Sequence, residues 1–242
     1  MKGISLIIFS FVVQTVAAAS PLPTPEEILA QERPTDWPEW VDVSMDRTVF
    51  KTEEHRTQFT ESFKKAPSVF IETSTEHLFG PEGLYRLKDT REKVAEVPAT
   101  VTYHHPTQKG FTIRCAVLPQ GSGSRTQSEK RNFRLKFAQR FGASSLKFPL
   151  FSPEKTEEFE NLLLRSPTHD SWTVKWPGWR VAPRYVNDRW AIETSLELGH
   201  PAPRQRWAHL FINGIYWGIY ALSERPDEHF AAQHLGLKKD NL

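Results

Sequence analysis

The residues best placed to do chemistry lie in one stretch. Gly121-Ser122-Gly123-Ser124-Arg125 is followed shortly by Lys130-Arg131-Asn132-Phe133-Arg134-Leu135-Lys136-Phe137. A loop of small residues lets a ligand approach the backbone closely, and a cation at the start of a following strand can neutralise a phosphate. The same Gly/Ser loop would also serve as a plain flexible turn between two strands. Further on, Phe211-Ile212-Asn213-Gly214-Ile215-Tyr216-Trp217-Gly218-Ile219-Tyr220 closes the stretch and is followed by Glu224.

Other chemistries find less support. There is no His-Glu-x-x-His, and His104-His105 adjoins Pro106 without a carboxylate at ligand spacing, which disfavours a metal hydrolase. Gly121-Ser122-Gly123 lacks the Gly-x-Ser-x-Gly elbow of a serine hydrolase. The single cysteine, Cys115, excludes an intramolecular disulfide. It alternates in step with Phe111, Ile113 and Val117, the pattern of a small buried hydrophobe rather than a nucleophile.

The 242 residues lean toward one domain, and the formal charge of +2 comes from dispersed Lys and Arg offset by Asp and Glu. That pattern gives no footprint for nucleic acid. Met1 to Ser20 reads as an export signal: Lys2, an apolar core from Ile4 to Val16, then Ala17-Ala18-Ala19 as the cleavage site. The apolar run is shorter than the roughly 20 residues that span a bilayer, so membrane contact is expected only during export. The organisation is read as a signal peptide over 1–19, an arm with helices over 20–66, and the main domain over 67–242.

These residues must be positioned by strands and short helices. Thr24-Pro25-Glu26-Glu27 carries a capping box that predicts a helix through Gln31. A strand is predicted over Val41 to Phe50 and a helix over Thr52 to Lys64, with Phe59 and Phe63 on one face. Ser68 to Thr73 reads as a central strand, and Arg86 to Glu96 as a charged, solvated loop. Three more strands are predicted: Ala99 to His104, Phe111 to Leu118, and Asn132 to Phe137. In the last, Phe133, Leu135 and Phe137 face one way and Arg134 and Lys136 the other. Ser152-Pro153-Glu154 predicts a short helix, Asn161 to Arg165 a buried strand, and Pro183 to Leu198 the longest helix, with Asp188 in its early turns. Asn213-Gly214 predicts a hairpin with a type I′ turn, Gly218 a bulge, and Pro226-Asp227-Glu228 a helix ending at Gly236. The fold class is α+β, a mostly antiparallel sheet with packed helices.

An ordered set of residues carries a resemblance. It comprises Gly121…Ser124-Arg125, Lys130-x-Asn132-Phe133-Arg134-Leu135-Lys136-Phe137, Phe141-Gly142, Pro149-Leu150-Phe151 and Leu164-Arg165. It continues through Asn187-Asp188, Phe211-x-Asn213-Gly214-x-Tyr216-Trp217-Gly218-x-Tyr220-x-Leu222-x-Glu224 and Asp227…Phe230. Over roughly residues 67 to 242 the chain resembles the CotH-type (spore coat protein H) family of atypical protein kinases. That resemblance implies transfer of the ATP γ-phosphate, with Mg²⁺, to Ser or Thr of a secreted or surface protein. It implies Lys130 as the phosphate-contacting cation, Ser124 and Arg125 lining the same pocket, and Arg134 beside them. Glu224 would support the lysine or sit near the adenine.

The resemblance also implies metal-holding and catalytic Asp residues well downstream of the hairpin, whereas 18 residues follow Glu224. The expectation is therefore the ATP-binding, N-terminal half of a kinase, with no catalytic residue assigned. A second reading stays open: a non-catalytic secreted module binding glycan or protein through Trp172, Trp176 and Trp179.

Overall fold

The structure is a computed structural model that describes residues 22–45, 47–86, 94–154, 157–168, 170–171 and 183–237. The export signal, the three tryptophans Trp172, Trp176 and Trp179, and Asp240-Asn241 lie outside the described residues. Helix α1 (Pro25–Leu29) begins with the expected capping box: the Thr24 hydroxyl accepts from the Glu27 N–H while the Glu27 carboxylate takes the Thr24 N–H at 2.7 Å. Helix α2 (Glu53–Lys65), capped by Thr52, carries Glu53 and Glu54 in its first turn and Lys64 and Lys65 in its last. Those charges complement the helix dipole.

Strand β1 (Ser68–Glu72) is followed by the short helix α3 (Thr75–Phe79), then β2 (Val97–His104) and β3 (Phe111–Gln120). Next come α4 (Ser122–Gln127) and β4 (Asn132–Lys136), then the two-stranded sheet of β5 (Leu146–Phe148) and β6 (Glu157–Phe159). Strand β7 (Asn161–Arg165), helix α5 (Asn187–Glu197), the hairpin β8 (Gln205–Ile212) and β9 (Ile215–Glu224), and α6 (Glu228–Leu235) complete the order.

Seven strands close on themselves in the order β1-β2-β3-β4-β7-β9-β8. All neighbours are antiparallel except β1 and β8, whose parallel pairing (Val69 opposite Leu210, Ile71 opposite Ile212) seals the barrel. Closure removes the exposed sheet edges that a flat sheet would leave. The α+β class with a mostly antiparallel sheet therefore stands, and the barrel is its specific form.

Alternation explains the interior. Phe133 and Leu135 on β4 are fully buried, as are Leu162 and Leu164 on β7, while Arg134 and Lys136 stay outside. Each large apolar side chain so buried contributes roughly 1.5–3 kcal/mol. Cys115 joins this core; burial pushes its thiol up to about 12, so it is inert as a nucleophile at neutral pH. At the hairpin tip Asn213 (φ 48°) and Gly214 (φ 79°) adopt the left-handed backbone of the expected type I′ turn. The bulge expected at Gly218 is present, with the register shifting between Leu210 and Phe211.

The arm is built into this body. Trp37, Val41 and Val43 enter the barrel's core cluster. The Gln31 side chain completes the backbone of Tyr216, donating to its carbonyl at 3.2 Å and accepting its N–H at 3.0 Å. A second cluster joins Ile28 and Phe63 to Phe211 and Tyr216 on the outer face of the hairpin.

Three local expectations are corrected. Val41 to Phe50 is not a strand: the Asp42 carboxylate takes the Ser44 N–H at 2.8 Å, making an Asx turn, and Arg47–Phe50 is a 3₁₀ turn. The alternation of Val41 and Val43 is real, but it serves a loop packed on the core. The Gly121–Arg125 loop winds into α4, with Gly121 (φ 76°) as its N-cap. Of Ser152-Pro153-Glu154, the last two form a turn rather than the start of a helix.

Candidate functional site

A cleft of about 580 Å³ lies on the outside of the barrel. Its size suits a nucleotide-scale ligand. One wall is Gly121, Gly123 and Ser124. The floor is the outer face of the sheet, where Asn132, Arg165, Gln205, Trp207 and Ala221 emerge from four strands. The far wall is Ser166, Pro167, Thr168 and Asp170 with the start of α5, contributing Tyr185, Asp188 and Arg189.

Each wall is fixed by its own bonds. The Ser124 hydroxyl donates to the Gln120 carbonyl, and the Arg125 Nε donates to the Gly121 carbonyl at 3.0 Å, which folds the small-residue turn onto itself. Below it the Asn132 carboxamide oxygen accepts the Ser166 N–H at 2.7 Å, and the Ser166 hydroxyl lies 2.8 Å from that of Thr168. On the far wall the Asp170 carboxylate takes the Arg184 N–H at 2.7 Å, and its carbonyl takes the Tyr185 N–H at 3.2 Å. Tyr185 is held there at φ 61°, a strained conformation for a bulky residue. Arg165 crosses to Asp188 at 3.0 Å.

The first turn of α5 faces this space. Val186, its N-cap, makes no side-chain cap bond. The early N–H groups of an eleven-residue helix favour an anion; the Asp170 carboxylate takes the first of them, that of Asn187, at 3.4 Å, and Arg165 and Arg189 stand beside it, paired with Asp188 and Glu193. Trp207 and Tyr185 are the aromatic rings among the described lining residues.

The five residues expected from sequence are not gathered at one point. Ser124 lines the cleft, and Arg125 braces the turn that forms its wall. Lys130 is half-buried, with its ammonium 3.9 Å from the centre of the Trp217 ring. Burial pulls that ammonium down to about 8, and the charge of Asp42 opposes the shift. Only the backbone of Lys130 touches the cleft wall, its carbonyl accepting from the Ser166 hydroxyl at 2.5 Å.

Arg134 points outward from β4 and donates to Asn161 at 2.8 Å, which in turn reaches Asp227, the N-cap of α6, at 3.0 Å. Glu224 is buried at the barrel's end. It takes the Arg204 fork at 2.6 and 3.0 Å and the Arg204 N–H at 2.8 Å, with His234 at 2.9 Å. These bonds hold its carboxyl below the usual range although burial alone would raise it.

Asp170, Tyr185, Arg189, Gln205 and Trp207 were not picked out as site residues from sequence. They converge only through the fold. The nearest signal was Asp188 in the early turns of the helix expected over Pro183 to Leu198; that helix in fact starts at Asn187. Asp170 and Asp188 are the carboxylates of the described lining. Among the described residues no group of three or more His, Cys, Asp or Glu is placed to hold a metal ion. No helix among them is long and apolar enough to cross a membrane.

Gly121 offers a local test. An alanine there would have to adopt φ 76° and ψ 148°, a backbone region left almost entirely to glycine. Gly121→Ala should lower stability by on the order of 1–2 kcal/mol. Chemical denaturation reads the loss; an unchanged midpoint would show that the turn is not held as described.

A comparison with protein families matches residues 117–242, just over half of the chain, to the family described as CotH kinase protein. A comparison with curated proteins matches none.

Proposed function

The chain belongs to the CotH kinase family, and from that premise we propose that it is an exported protein whose barrel-side cleft binds ATP with Mg²⁺, as in an atypical Ser/Thr protein kinase. The observation that carries the reading is the cleft in which the Gly121–Ser124 turn faces the first turn of α5 across Trp207. Phosphate groups suit the α5 end, where the first-turn N–H groups beyond Asn187 meet the Arg165 guanidinium. A base suits the ring of Trp207. The apolar core of Met1 to Ser20 supports export, and the acceptor would then be a secreted or surface protein.

The residues present fit the nucleotide. They also fit Mg²⁺, which keeps waters and nucleotide oxygens and needs only one or two protein carboxylates. Asp170 and Asp188 would hold it. ATP supplies a transferable γ-phosphoryl group. The chain's own residues orient it: the strained Tyr185 backbone and the Arg165–Asp188 pair fix the cleft's far wall before any ligand arrives.

Lys130 separates two roles. A phosphate-contacting cation, on mutation to alanine, would lose nucleotide binding at little cost in stability. A cation packed on Trp217 would instead lose about 1–2 kcal/mol of stability and keep nucleotide affinity. The contacts of its ammonium support the second. Trp207→Ala should weaken Mg-ATP binding by roughly 10- to 100-fold, from a stacking contribution of about 1–3 kcal/mol. Titration calorimetry on both variants checks both statements; unchanged affinity in Trp207→Ala would remove the base from this cleft.

A further inference from the structure

A second cleft, about 500 Å³, adjoins the first and shares Arg189, Gln205 and Trp207 with it. Its remaining walls include Lys65 at the end of α2, His105 after β2, Phe151, Ile192 on α5, and Arg206 on β8. Four cations line it against one carboxylate, Glu193.

Two of those cations are spoken for. Arg189 pairs with Glu193 at 2.7 Å, and Arg204 with Glu224 at 2.6 Å. Among the described residues, Lys65 and Arg206 reach no carboxylate within ion-pair distance. Arg206 donates only to the Tyr103 hydroxyl, at 3.1 Å, and lies 5.8 Å from the Phe151 ring. The field there is positive: besides burial, the charge of Arg206 holds the His105 imidazolium below its usual range.

Gln205 sits in the shared wall. Both its carboxamide nitrogen and its oxygen are buried without a partner among the described residues. A donor and an acceptor side by side match the N–H and C=O of a peptide group. Turning the carboxamide into either cleft breaks no hydrogen bond of the protein, so an incoming chain gains both bonds at no such cost.

We propose that this second cleft seats an acidic segment of the acceptor protein, with a carboxylate between Lys65 and Arg206 and an apolar residue against Phe151 and Ile192. The proposal rests on the nucleotide reading of the first cleft, since the shared wall would bring an acceptor hydroxyl beside the ATP. Peptide rather than a compact anion is favoured by the unpaired carboxamide and by the apolar floor.

The test is fluorescence polarisation with a labelled peptide of Glu and Leu residues around one Ser, against the same peptide with Lys in place of Glu. The acidic peptide should bind and the basic one should not. Lys65→Glu, at an exposed helix end, should weaken acidic-peptide binding on the order of tenfold and leave Mg-ATP affinity unchanged. Arg206→Gln should weaken it similarly, and Lys65→Glu stands in its place if loss of the Tyr103 bond unfolds that variant.

Equal binding of both peptides, equal binding of heparin, or acidic-peptide binding indifferent to Lys65→Glu would overturn the proposal. ATP binding without acidic-peptide binding sinks this inference alone. Acidic-peptide binding lost in Lys65→Glu, in a chain that does not bind ATP, keeps the anionic peptide site and sinks the nucleotide reading.

Discussion

Glu224→Ala is expected to lower the stability of the fold by about 3–5 kcal/mol, the cost of removing one partner from a buried ion pair. Glu224 is 3% exposed and receives three bonds from Arg204, two from the guanidinium and one from its backbone. Without it the guanidinium keeps only Glu157 and the hydroxyl of Ser152, and His234 on α6 loses its carboxylate. Arg204 and Glu224 lie at the open ends of β8 and β9, so the loss falls where the hairpin joins β7 and α6. Glu224→Gln should lose less, because an amide still accepts one guanidinium bond. Urea denaturation measures both. A loss under about 1 kcal/mol for the alanine variant would mean the pair is solvated rather than buried.

Acid should weaken the protein well above the carboxylate range. His209 is fully buried, stacked on Phe63 with ring centres 3.8 Å apart. Its two nitrogens lie 3.1 Å from the hydroxyls of Ser62 and Tyr216. Burial, partly offset by its bond to Ser62, pulls its pKa down to about 4 from the ordinary 6.5. The unfolded chain therefore binds the proton first as pH falls. Stability from His209 is complete above about pH 6.5, is lost progressively below it, and levels off beneath the folded value near 4. The shift corresponds to about 3 kcal/mol. His105, also held low by burial, adds loss in the same direction.

Denaturation midpoints at pH 7, 6, 5 and 4 read this slope. His209→Gln should be less stable at neutral pH, since the ring leaves Phe63, yet show a flatter profile on acidification. An equally steep profile in that variant would remove His209 as the cause.

Much of the barrel was legible because its strands are half-buried surfaces. Phe133, Leu135 and Phe137 alternating with Arg134 and Lys136 could sit only on an inside–outside strand, and Asn213-Gly214 admitted one hairpin turn. The same rule misread Val41 and Val43, because a loop held by an Asx turn at Asp42 can place two valines in a core without a strand partner. A helix within Pro183 to Leu198 was legible, but it starts only at Asn187, and its periodic residues are not buried ones. Trp190 is 70% exposed, and no residue of α5 is buried. Closure of the sheet was not legible, since the parallel β1–β8 seam pairs segments far apart in sequence and no local pattern encodes it.

The site followed the same division. The small-residue stretch at Gly121 and the presence of a helix around Asp188 could be read locally, but not the winding of the first into α4 or the start of the second at Asn187. That they face each other across Trp207 depends on how β8 crosses the sheet. Lys130 and Glu224 looked like ligand contacts by type and position. Their surroundings, an indole face and a guanidinium fork, come from distant segments that spacing along the chain does not reveal.

Calorimetric titration of Mg-ATP into the wild-type chain and into Trp207→Ala tests the central claim most directly. Saturable binding in the wild type, weakened at least about tenfold in the variant at equal folded content, is the predicted result. Absence of binding at millimolar nucleotide, or binding that Trp207→Ala leaves unchanged, would contradict it.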